Sequence, residues 1–268
     1  MPPLALAGIS IALWSSLALL STLVPRIPPF LLVGITLVVG SLPGLPRARS
    51  FTRDPRALAI GVYGLFGYHF CLFLALRTAP PVEANLINYL WPVLIVAFSP
   101  PLRGHHYAGA ALAFTGAALI ATDGNFHSFT LKPGLLLALA AAVIWASYSV
   151  LTRRLRALPS ATVSQFCLIS GLLALATHVA IEPHVIPTAR EAAVLAALGI
   201  GPMGAAFYCW DAALKRGDPR VIGALSYLTP LLSTACLVLL GGKPFTAIAA
   251  IAMVLIVAGA AVGMLRRT

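Results

Sequence analysis

The side chains that could do chemistry in this chain lie inside long apolar stretches. Asn85, Asn88 and Pro92 follow an i, i+3, i+7 spacing that places them on one face of a predicted helix, with Tyr89 and Trp91 beside that face. Amide and hydroxyl groups in such a setting can hydrogen-bond the amino and carboxylate groups of a small ligand. Taken singly, each is also explained by a hydrogen bond between neighbouring helices.

His69 is the ionisable residue nearest the middle of an apolar stretch, and Tyr68 precedes it. A charged imidazole is costly in such surroundings, so a histidine there indicates a function by default. Three roles are open: it could bind a carboxylate, relay a proton, or satisfy a neighbouring backbone carbonyl. Asp211 lies four residues before Lys215, and this spacing predicts an ion pair near the end of a helix rather than a functional site.

Three tryptophans, Trp14, Trp91 and Trp145, fall near the middle of their apolar stretches, although tryptophan usually marks the edge of a membrane. Together with nearby tyrosines they predict an aromatic-lined cavity. A flat apolar ligand could stack there, for about 0.5–1.5 kcal/mol per ring pair beyond the burial of its area. The alternative is that these rings only fill the core of the protein.

No combination of residues typical of an enzyme is present. The sequence has no HExxH, P-loop or CxxC motif and no Ser-His-Asp set. Its four cysteines lie in apolar segments without the spacing of a zinc site. We therefore expect no enzyme activity, no catalytic residue, no metal site and no cofactor.

The composition indicates that the solvent of this chain is lipid. Of its 268 residues, 60% are hydrophobic and 9% are charged, whereas a soluble domain carries about 25% charged residues. A membrane-spanning helix needs about 20 apolar residues in succession. The apolar runs predict an all-α protein with ten transmembrane helices, at 5–23, 29–43, 57–76, 82–99, 106–122, 133–151, 161–181, 191–214, 220–240 and 244–265.

The net charge of +11 does not predict a nucleic-acid partner, because the basic residues are spread over the loops. Lys and Arg instead concentrate in cytoplasmic loops of membrane proteins. With the N-terminus in the cytoplasm, thirteen of the eighteen Lys and Arg residues face the cytoplasm and five face outside. We therefore expect both termini to be cytoplasmic. The five outside residues are Arg26, Arg77, Lys132, Arg190 and Lys243.

The second half of the sequence repeats the first. LINYLWPVL at 86–94 returns as ALSYLTPLL at 224–232, an offset of 138 residues (224 − 86). An odd number of spans per copy would invert the second copy in the bilayer, as in many secondary transporters. We expect a first five-helix repeat at 1–123, an external linker at 124–132 and an inverted five-helix repeat at 133–268.

Pro92 and Pro230 occupy matched positions in the two copies. Each removes a backbone hydrogen bond and is a predicted helix hinge. Freed carbonyls inside a membrane are tolerated where they meet protein or a wet cavity. The matched pair therefore predicts the walls of a transport path.

Small residues predict where helices approach closely. Gly259 and Gly263 form a GxxxG pair in the last span, and Gly109 and Ala113 begin a similar ridge in the fifth. These ridges could pack the two halves together or support a homodimer, and both possibilities stay open.

Ten spans in two halves, with the segment 88–92 and its counterpart 226–230, resemble the drug/metabolite transporter (DMT) superfamily and its EamA-type repeat. The stretch 83–92 resembles the YddG-type aromatic amino acid exporters of bacterial inner membranes. The resemblance implies alternating access and a central cavity lined by the first, third, fourth, sixth, eighth and ninth spans. Thr229 stands opposite Trp91 in the repeat, so such a cavity would be asymmetric.

The implied function is the export of aromatic amino acids (phenylalanine, tyrosine, tryptophan) and other neutral ones across a bacterial inner membrane. The alternatives are a broad drug or metabolite exporter of the same fold, or a membrane scaffold without transport. Proton coupling and facilitated export both remain open. The residues that the resemblance implies for substrate binding are Trp14, Tyr68, His69, Asn88, Trp91, Trp145, Tyr148 and Tyr227.

Overall fold

The computed structural model describes residues 1–125, 132–240 and 246–263. Within these ranges the chain is helical and has no β-strand, so the prediction of an all-α protein is confirmed. Six helical runs of the described part are long and apolar enough to cross a membrane. They are Pro3–Ser21, Pro29–Arg49, Pro55–Thr78, Gly134–Leu155, Thr162–Ile181 and Ala189–Arg216, and two shorter apolar helices are Glu83–Ala97 and Ala247–Gly263.

Parts of two predicted segments lie outside the described residues. Positions 126–131 of the predicted linker are among them, as are the first and last residues of the predicted span 244–265. Lys243, which the charge distribution places outside the membrane, is also among them.

The helices of the first half follow one another with short connections, except that a 3₁₀ segment, Leu42–Ser50, follows the second helix. They are α1 (Pro3–Ser21), α2 (Pro29–Ser41), α3 (Pro55–Val62), α4 (Tyr68–Thr78), α5 (Pro81–Asn88), α6 (Trp91–Ala97) and α7 (Gly104–Thr122). The second half repeats this order with α8 (Gly134–Leu151), α9 (Thr162–Ile181), α10 (Ala189–Ile200), α11 (Ala206–Arg216), α12 (Pro219–Leu225), α13 (Leu228–Leu239) and α14 (Ala247–Gly263).

Proline fixes the start of several helices. Pro29, Pro55, Pro81 and Pro219 are each the first residue of their helix. The fixed φ angle of proline suits this position, and its missing N–H would have no partner there in any residue. The sequence thus marks where these helices begin.

The fourth and ninth predicted spans are broken rather than continuous. α5 gives way to α6, and α12 to α13, through two turn residues each, 89–90 and 226–227, where the regular helical hydrogen bonding is interrupted. A proline cannot donate to the carbonyl four residues earlier, and its ring crowds that carbonyl. For Pro92 that carbonyl belongs to Asn88, and for Pro230 to Ser226. Each helix therefore stops there, and the next one restarts with the proline in its first turn.

A π-helical turn interrupts two further segments at matched positions. Tyr63–Gly67 joins α3 to α4, and Gly201–Ala205 joins α10 to α11. The two turns are separated by the same 138 residues (201 − 63) as the sequence repeat. A π-helical turn leaves backbone carbonyls without their usual helical partner and is frequent at functional sites.

Glycines bring helices of the two halves into close contact. A Cβ atom on Gly109 of α7 would lie 2.4 Å from the backbone nitrogen of Gly263 and 2.6 Å from the carbonyl oxygen of Gly259, both on α14. On α9, a Cβ atom on Gly171 would lie 3.0 Å from the carbonyl oxygen of Gly34 on α2. The two predicted ridges of small residues therefore pack against each other within one chain.

Candidate functional site

A cavity of about 590 Å³ lies between the two halves of the chain. It extends from the middle of the bundle to the turn between α1 and α2, where Val24, Pro25 and Ile27 line it. The predicted binding residues that line it are Trp14, Tyr68, His69, Asn88, Trp91, Trp145 and Tyr227, and both predicted hinge prolines, Pro92 and Pro230, line it as well.

The four tryptophans of the sequence form one cluster. Trp14, Trp91 and Trp145 line the cavity, and Trp210 packs against them without lining it. The Trp14 ring lies 5.7 Å from Trp145, 6.4 Å from Trp91 and 5.0 Å from Trp210, measured between ring centroids. Trp91 and Trp145 are 6.4 Å apart and nearly perpendicular. We call these four residues the tryptophan floor. Their edge-to-face and tilted contacts are the arrangements that aromatic rings prefer.

Hydrogen bonds fix the orientation of two rings in the tryptophan floor. The Trp14 indole N–H donates to the carbonyl oxygen of Pro202 at 3.0 Å, and Pro202 belongs to the π-helical turn after α10. The Trp210 indole N–H donates to the hydroxyl of Ser149 at 3.1 Å. A buried indole N–H needs such a partner, so the π-helical turn supplies the acceptor that positions Trp14.

Polar groups occupy the wall formed by α4 and α5. His69 Nδ1 lies 2.6 Å from the carbonyl oxygen of Leu65. Because a carbonyl only accepts, Nδ1 carries a proton, and Nε2 of the neutral ring is an acceptor. Asn88 Nδ2 donates to the hydroxyl of Tyr68 at 3.3 Å. His69 therefore satisfies a backbone carbonyl, one of its three predicted roles, and keeps a second ring nitrogen available.

The two helix breaks contact each other beside this wall. Tyr227, between α12 and α13, donates its hydroxyl to the backbone carbonyl of Tyr89, between α5 and α6, at 3.2 Å. The Ser15 hydroxyl of α1 lies 3.3 Å from the carbonyl oxygen of Thr229 and shares its proton with the carbonyl of Ile11, which is 2.7 Å away. Hydroxyl groups from distant parts of the chain thus form hydrogen bonds with backbone carbonyl oxygens near the breaks. These contacts close the bundle next to the tryptophan floor.

Among the described residues that line the cavity, two buried polar atoms have no hydrogen-bond partner. They are Asn88 Oδ1 and Thr229 Oγ1. Buried polar groups are nearly always hydrogen-bonded, and exceptions point to a function or to a bound molecule. Both atoms lie close to the helix breaks.

The cavity lining carries no fixed charge in the described part of the chain. None of its residues is Asp, Glu, Lys or Arg, and His69 is its only histidine. Among the described residues, no group of three or more His, Cys, Asp or Glu side chains could hold a metal ion. The predicted Asp211–Lys215 ion pair is confirmed at 2.8 Å, and neither residue lines the cavity.

Tyr148 lies apart from the other predicted binding residues. Its side chain is buried behind Trp145, with the ring centroids 5.5 Å apart, and it does not line the cavity. Sequence reasoning missed Phe207, whose ring lies 5.7 Å from Trp145 and which does line the cavity. The repeat carries a signal for it, because Phe207 is 138 residues after His69.

Sequence reasoning also missed a buried carboxylate near the outer end of the cavity. Glu182, at the end of α9, accepts hydrogen bonds from the backbone N–H groups of Phe30 at 3.1 Å and Leu31 at 3.2 Å. Arg77 of α4 lies 2.8 Å from it and His178 Nδ1 2.9 Å. The carboxylate side chain is fully buried. It caps the N-terminus of α2 and joins α2 and α4 to α9, which belong to different halves.

A smaller polar cavity of about 350 Å³ lies at the opposite end of the bundle, between Pro100 and Arg220. Arg220 pairs with Asp218 at 2.6 Å and donates to the carbonyl oxygen of Pro101 in the first half at 2.6 Å. Burial alone would raise the pKa of Asp218. The hydrogen bonds and charge of Arg220 outweigh burial, so the pKa lies below its ordinary value. This contact ties the halves together at the closed end.

The comparisons with known proteins agree on one family. The model of the EamA-like transporter family matches residues 2–122 and again 132–265. The aromatic amino acid exporter YddG of Ancylobacter novellus is 45% identical over 96% of this chain and 94% of its own length. The exporter of the same name from Salmonella typhimurium is 28% identical over 76% of this chain and 74% of its own. A solved crystal structure that is 40% identical superposes with a TM-score of 0.91, over 98% of this chain and 96% of that chain.

Proposed function

The chain belongs to the EamA-like transporter family, which confirms the resemblance drawn from its sequence, and we propose that it exports neutral amino acids across a bacterial inner membrane. Aromatic amino acids are its foremost substrates in this proposal. The name of its relative in Ancylobacter novellus supports that choice. The site itself supports it through its volume, its aromatic rings and its lack of charge.

The observation that carries the proposal is the cavity of about 590 Å³, whose described lining is rich in aromatic rings and contains no Asp, Glu, Lys or Arg. This volume falls within the range of about 300–1,000 Å³ found for small-molecule sites. Trp91 and Trp145 offer ring surfaces against which an aromatic side chain packs. His69 and Asn88 hold the polar end of the substrate, and Trp14, Tyr68 and Tyr227 complete the lining. Tyr148 supports the ring of Trp145 from behind.

The net charge of the ligand distinguishes neutral amino acids from the cations and anions that a general drug or metabolite exporter would carry. A neutral amino acid is a zwitterion with no net charge, so its two ends can be satisfied by neutral donors and acceptors. A drug cation has no carboxylate of its own, and the described lining provides none to balance its charge, so its burial is costly. A phosphorylated metabolite would need Lys or Arg partners, and no described residue of the lining provides them.

The fold supports transport by alternating access between two inverted five-helix repeats, 1–123 and 133–268, with ten spans and both termini in the cytoplasm. The matched π-helical turns and matched breaks support this arrangement, since they give both halves the same order of elements. In this orientation the turn between α1 and α2 faces outside. The described state is then outward-open, and the contacts at the helix breaks and at Arg220 close the cytoplasmic side.

The absence of a carboxylate from the described cavity lining favours facilitated export over proton exchange. Proton-coupled carriers commonly use an intramembrane Asp, Glu or His as the proton carrier. His69 is held by a backbone carbonyl rather than by an acidic partner. We therefore expect that an imposed pH gradient does not drive accumulation of phenylalanine in proteoliposomes.

Counterflow in proteoliposomes with each of the twenty amino acids tests the proposal. We expect the fastest exchange with phenylalanine, tyrosine and tryptophan, and no competition from cationic dyes. Equal competition by the dyes would indicate a broad drug exporter. No flux above empty liposomes would indicate a membrane scaffold.

A further inference from the structure

Asn88 Oδ1 and Thr229 Oγ1 are buried and have no hydrogen-bond partner, and both residues line the same cavity. Asn88 as a whole is 6% exposed. Threonine hydroxyls inside helices usually donate to a carbonyl three or four residues earlier, as Thr234 does to Pro230 at 2.9 Å. Thr229 does not, because it is the second residue of α13 and has no carbonyl of that helix three or four residues before it. Its hydroxyl therefore has an unused donor and unused acceptors.

The two side chains flank one contact. Asn88 precedes Tyr89, and Thr229 follows Tyr227 by two residues, while the Tyr227 hydroxyl bonds the Tyr89 carbonyl at 3.2 Å. The breaks thus place an amide from the first half and a hydroxyl from the second half in the lining of one cavity. Thr229 holds the repeat position of Trp91, so the second half supplies a small polar group where the first supplies a ring.

Two unused atoms of the lining can only accept, and the Thr229 hydroxyl can both accept and donate. The Asn88 amide nitrogen donates one hydrogen to Tyr68, and the Asn88 carbonyl oxygen, which only accepts, has no partner. His69 donates through Nδ1 to Leu65, which leaves Nε2 as an acceptor. An ammonium group has three donors and no acceptor. We propose that Asn88 Oδ1 and Thr229 Oγ1 bind the α-ammonium group of the substrate, with His69 beside them.

The hydrogen bond between Asn88 and Tyr68 also indicates where the carboxylate of the substrate binds. The Tyr68 hydroxyl accepts from Asn88, so its own proton is free to donate. A carboxylate one carbon atom away from the ammonium group receives that proton, while the aromatic side chain of the substrate lies on the tryptophan floor. This assignment rests on the proposed function, because it names the subsite that distinguishes an amino acid from other flat apolar molecules.

Competition against labelled phenylalanine by three ligands tests the subsite in the purified protein. The ligands are phenylalanine, phenethylamine, which lacks the carboxylate, and 3-phenylpropionate, which lacks the ammonium group. We expect Thr229→Val to weaken phenylalanine and phenethylamine by about tenfold or more, the range of a hydrogen bond to a charged group. Its effect on 3-phenylpropionate should be under about twofold. Thr234→Val is the matched control, and it should change none of the three.

Asn88→Asp distinguishes an ammonium partner from a carboxylate partner at this position. A carboxylate keeps the acceptor oxygen and adds a negative charge, so phenethylamine should bind at least as tightly as in the wild type, and 3-phenylpropionate more weakly. The proposal is overturned if Thr229→Val spares phenethylamine, or if Asn88→Asp weakens it while the protein stays folded.

Measuring both ligand binding and amino acid exchange distinguishes failure of this inference from failure of the proposed function. If it binds phenethylamine in a Thr229-dependent way but does not exchange amino acids, the subsite stands and the proposed function falls. If it exchanges amino acids and Thr229→Val has no effect, the function stands and the subsite falls. If it binds none of the three ligands, both fall.

Discussion

Trp91 combines a position directly after a helix break with ring contacts to the other three tryptophans. It is the first residue of α6, directly after the break, and it contacts Trp14, Trp145 and Trp210. Its central position and the motif around it could be predicted from the sequence. The packing of all four tryptophans could not, because Trp210 lies 119 residues further along the chain (210 − 91).

Replacing Trp91 tests the tryptophan floor. Trp91→Ala should raise the half-saturation concentration for phenylalanine about two- to tenfold relative to that for threonine, because it removes one ring contact of about 0.5–1.5 kcal/mol. Trp91→Phe should restore part of the difference. Transport kinetics in proteoliposomes measure both, with melting temperature as the check on folding. An equal change for the two amino acids would show that the ring does not contact the substrate.

Glu182 could not be found from the sequence, because its partners are distant along the chain. Phe30 lies 152 residues away and Arg77 105 residues away. Nothing local marks Glu182 as buried, since a glutamate after the last turn of an apolar helix usually faces water. Its burial follows only when α2, α4 and α9 pack together.

The Glu182 carboxylate should contribute strongly to stability. Glu182→Gln replaces charged hydrogen bonds worth about 1.5–3 kcal/mol each with weaker ones, so the melting temperature in detergent should fall. Asp123→Asn is the control, because Asp123 is exposed and substitutions of exposed residues usually change stability by less than about 0.5 kcal/mol. Equal melting temperatures for the two variants would argue against a stabilising role for the buried carboxylate.

The helices show how far a sequence pattern determines an element. Pro92 and Pro230 predict a disturbance in two spans, and the structure places a break there, because each ring crowds a carbonyl one turn earlier. The π-helical turn at Gly201–Ala205 was not predicted. A π-helical turn holds one more residue than an α-helical turn. In a segment that is apolar on all sides, this extra residue does not change the hydrophobic pattern, so the sequence does not reveal it.

The contact between α7 and α14 leaves no room for a side chain at Gly109. Gly109→Ala should cost about 1–3 kcal/mol, the range for overpacking a tight core, since the new methyl group meets backbone atoms at 2.4–2.6 Å. Gly8→Ala is the control, because nothing lies within 4 Å of its Cβ position. Thermal unfolding of both purified variants measures the difference. A melting temperature of Gly109→Ala equal to that of Gly8→Ala would contradict the packing.

At the scale of the whole molecule, the sequence predicts the fold class and the family better than it predicts which side chains line the cavity. Membrane character and the all-α class follow from composition and periodicity, and the family follows from the segment 83–92 and its repeat. Which face of a helix meets the cavity does not follow, and Tyr148 illustrates this. Its neighbour Trp145, three residues earlier, lines the cavity, while Tyr148 packs behind it.

Substrate protection of a single cysteine tests most directly whether amino acids occupy this cavity. Ser233 lines the cavity, and Thr234, the next residue on α13, does not. In a variant without the native cysteines, Ser233→Cys should react with a polar thiol reagent, lose phenylalanine counterflow on reaction, and be protected by phenylalanine. Thr234→Cys should show no protection. Active transport in which the reagent at position 233 neither blocks flux nor is slowed by phenylalanine would contradict the account.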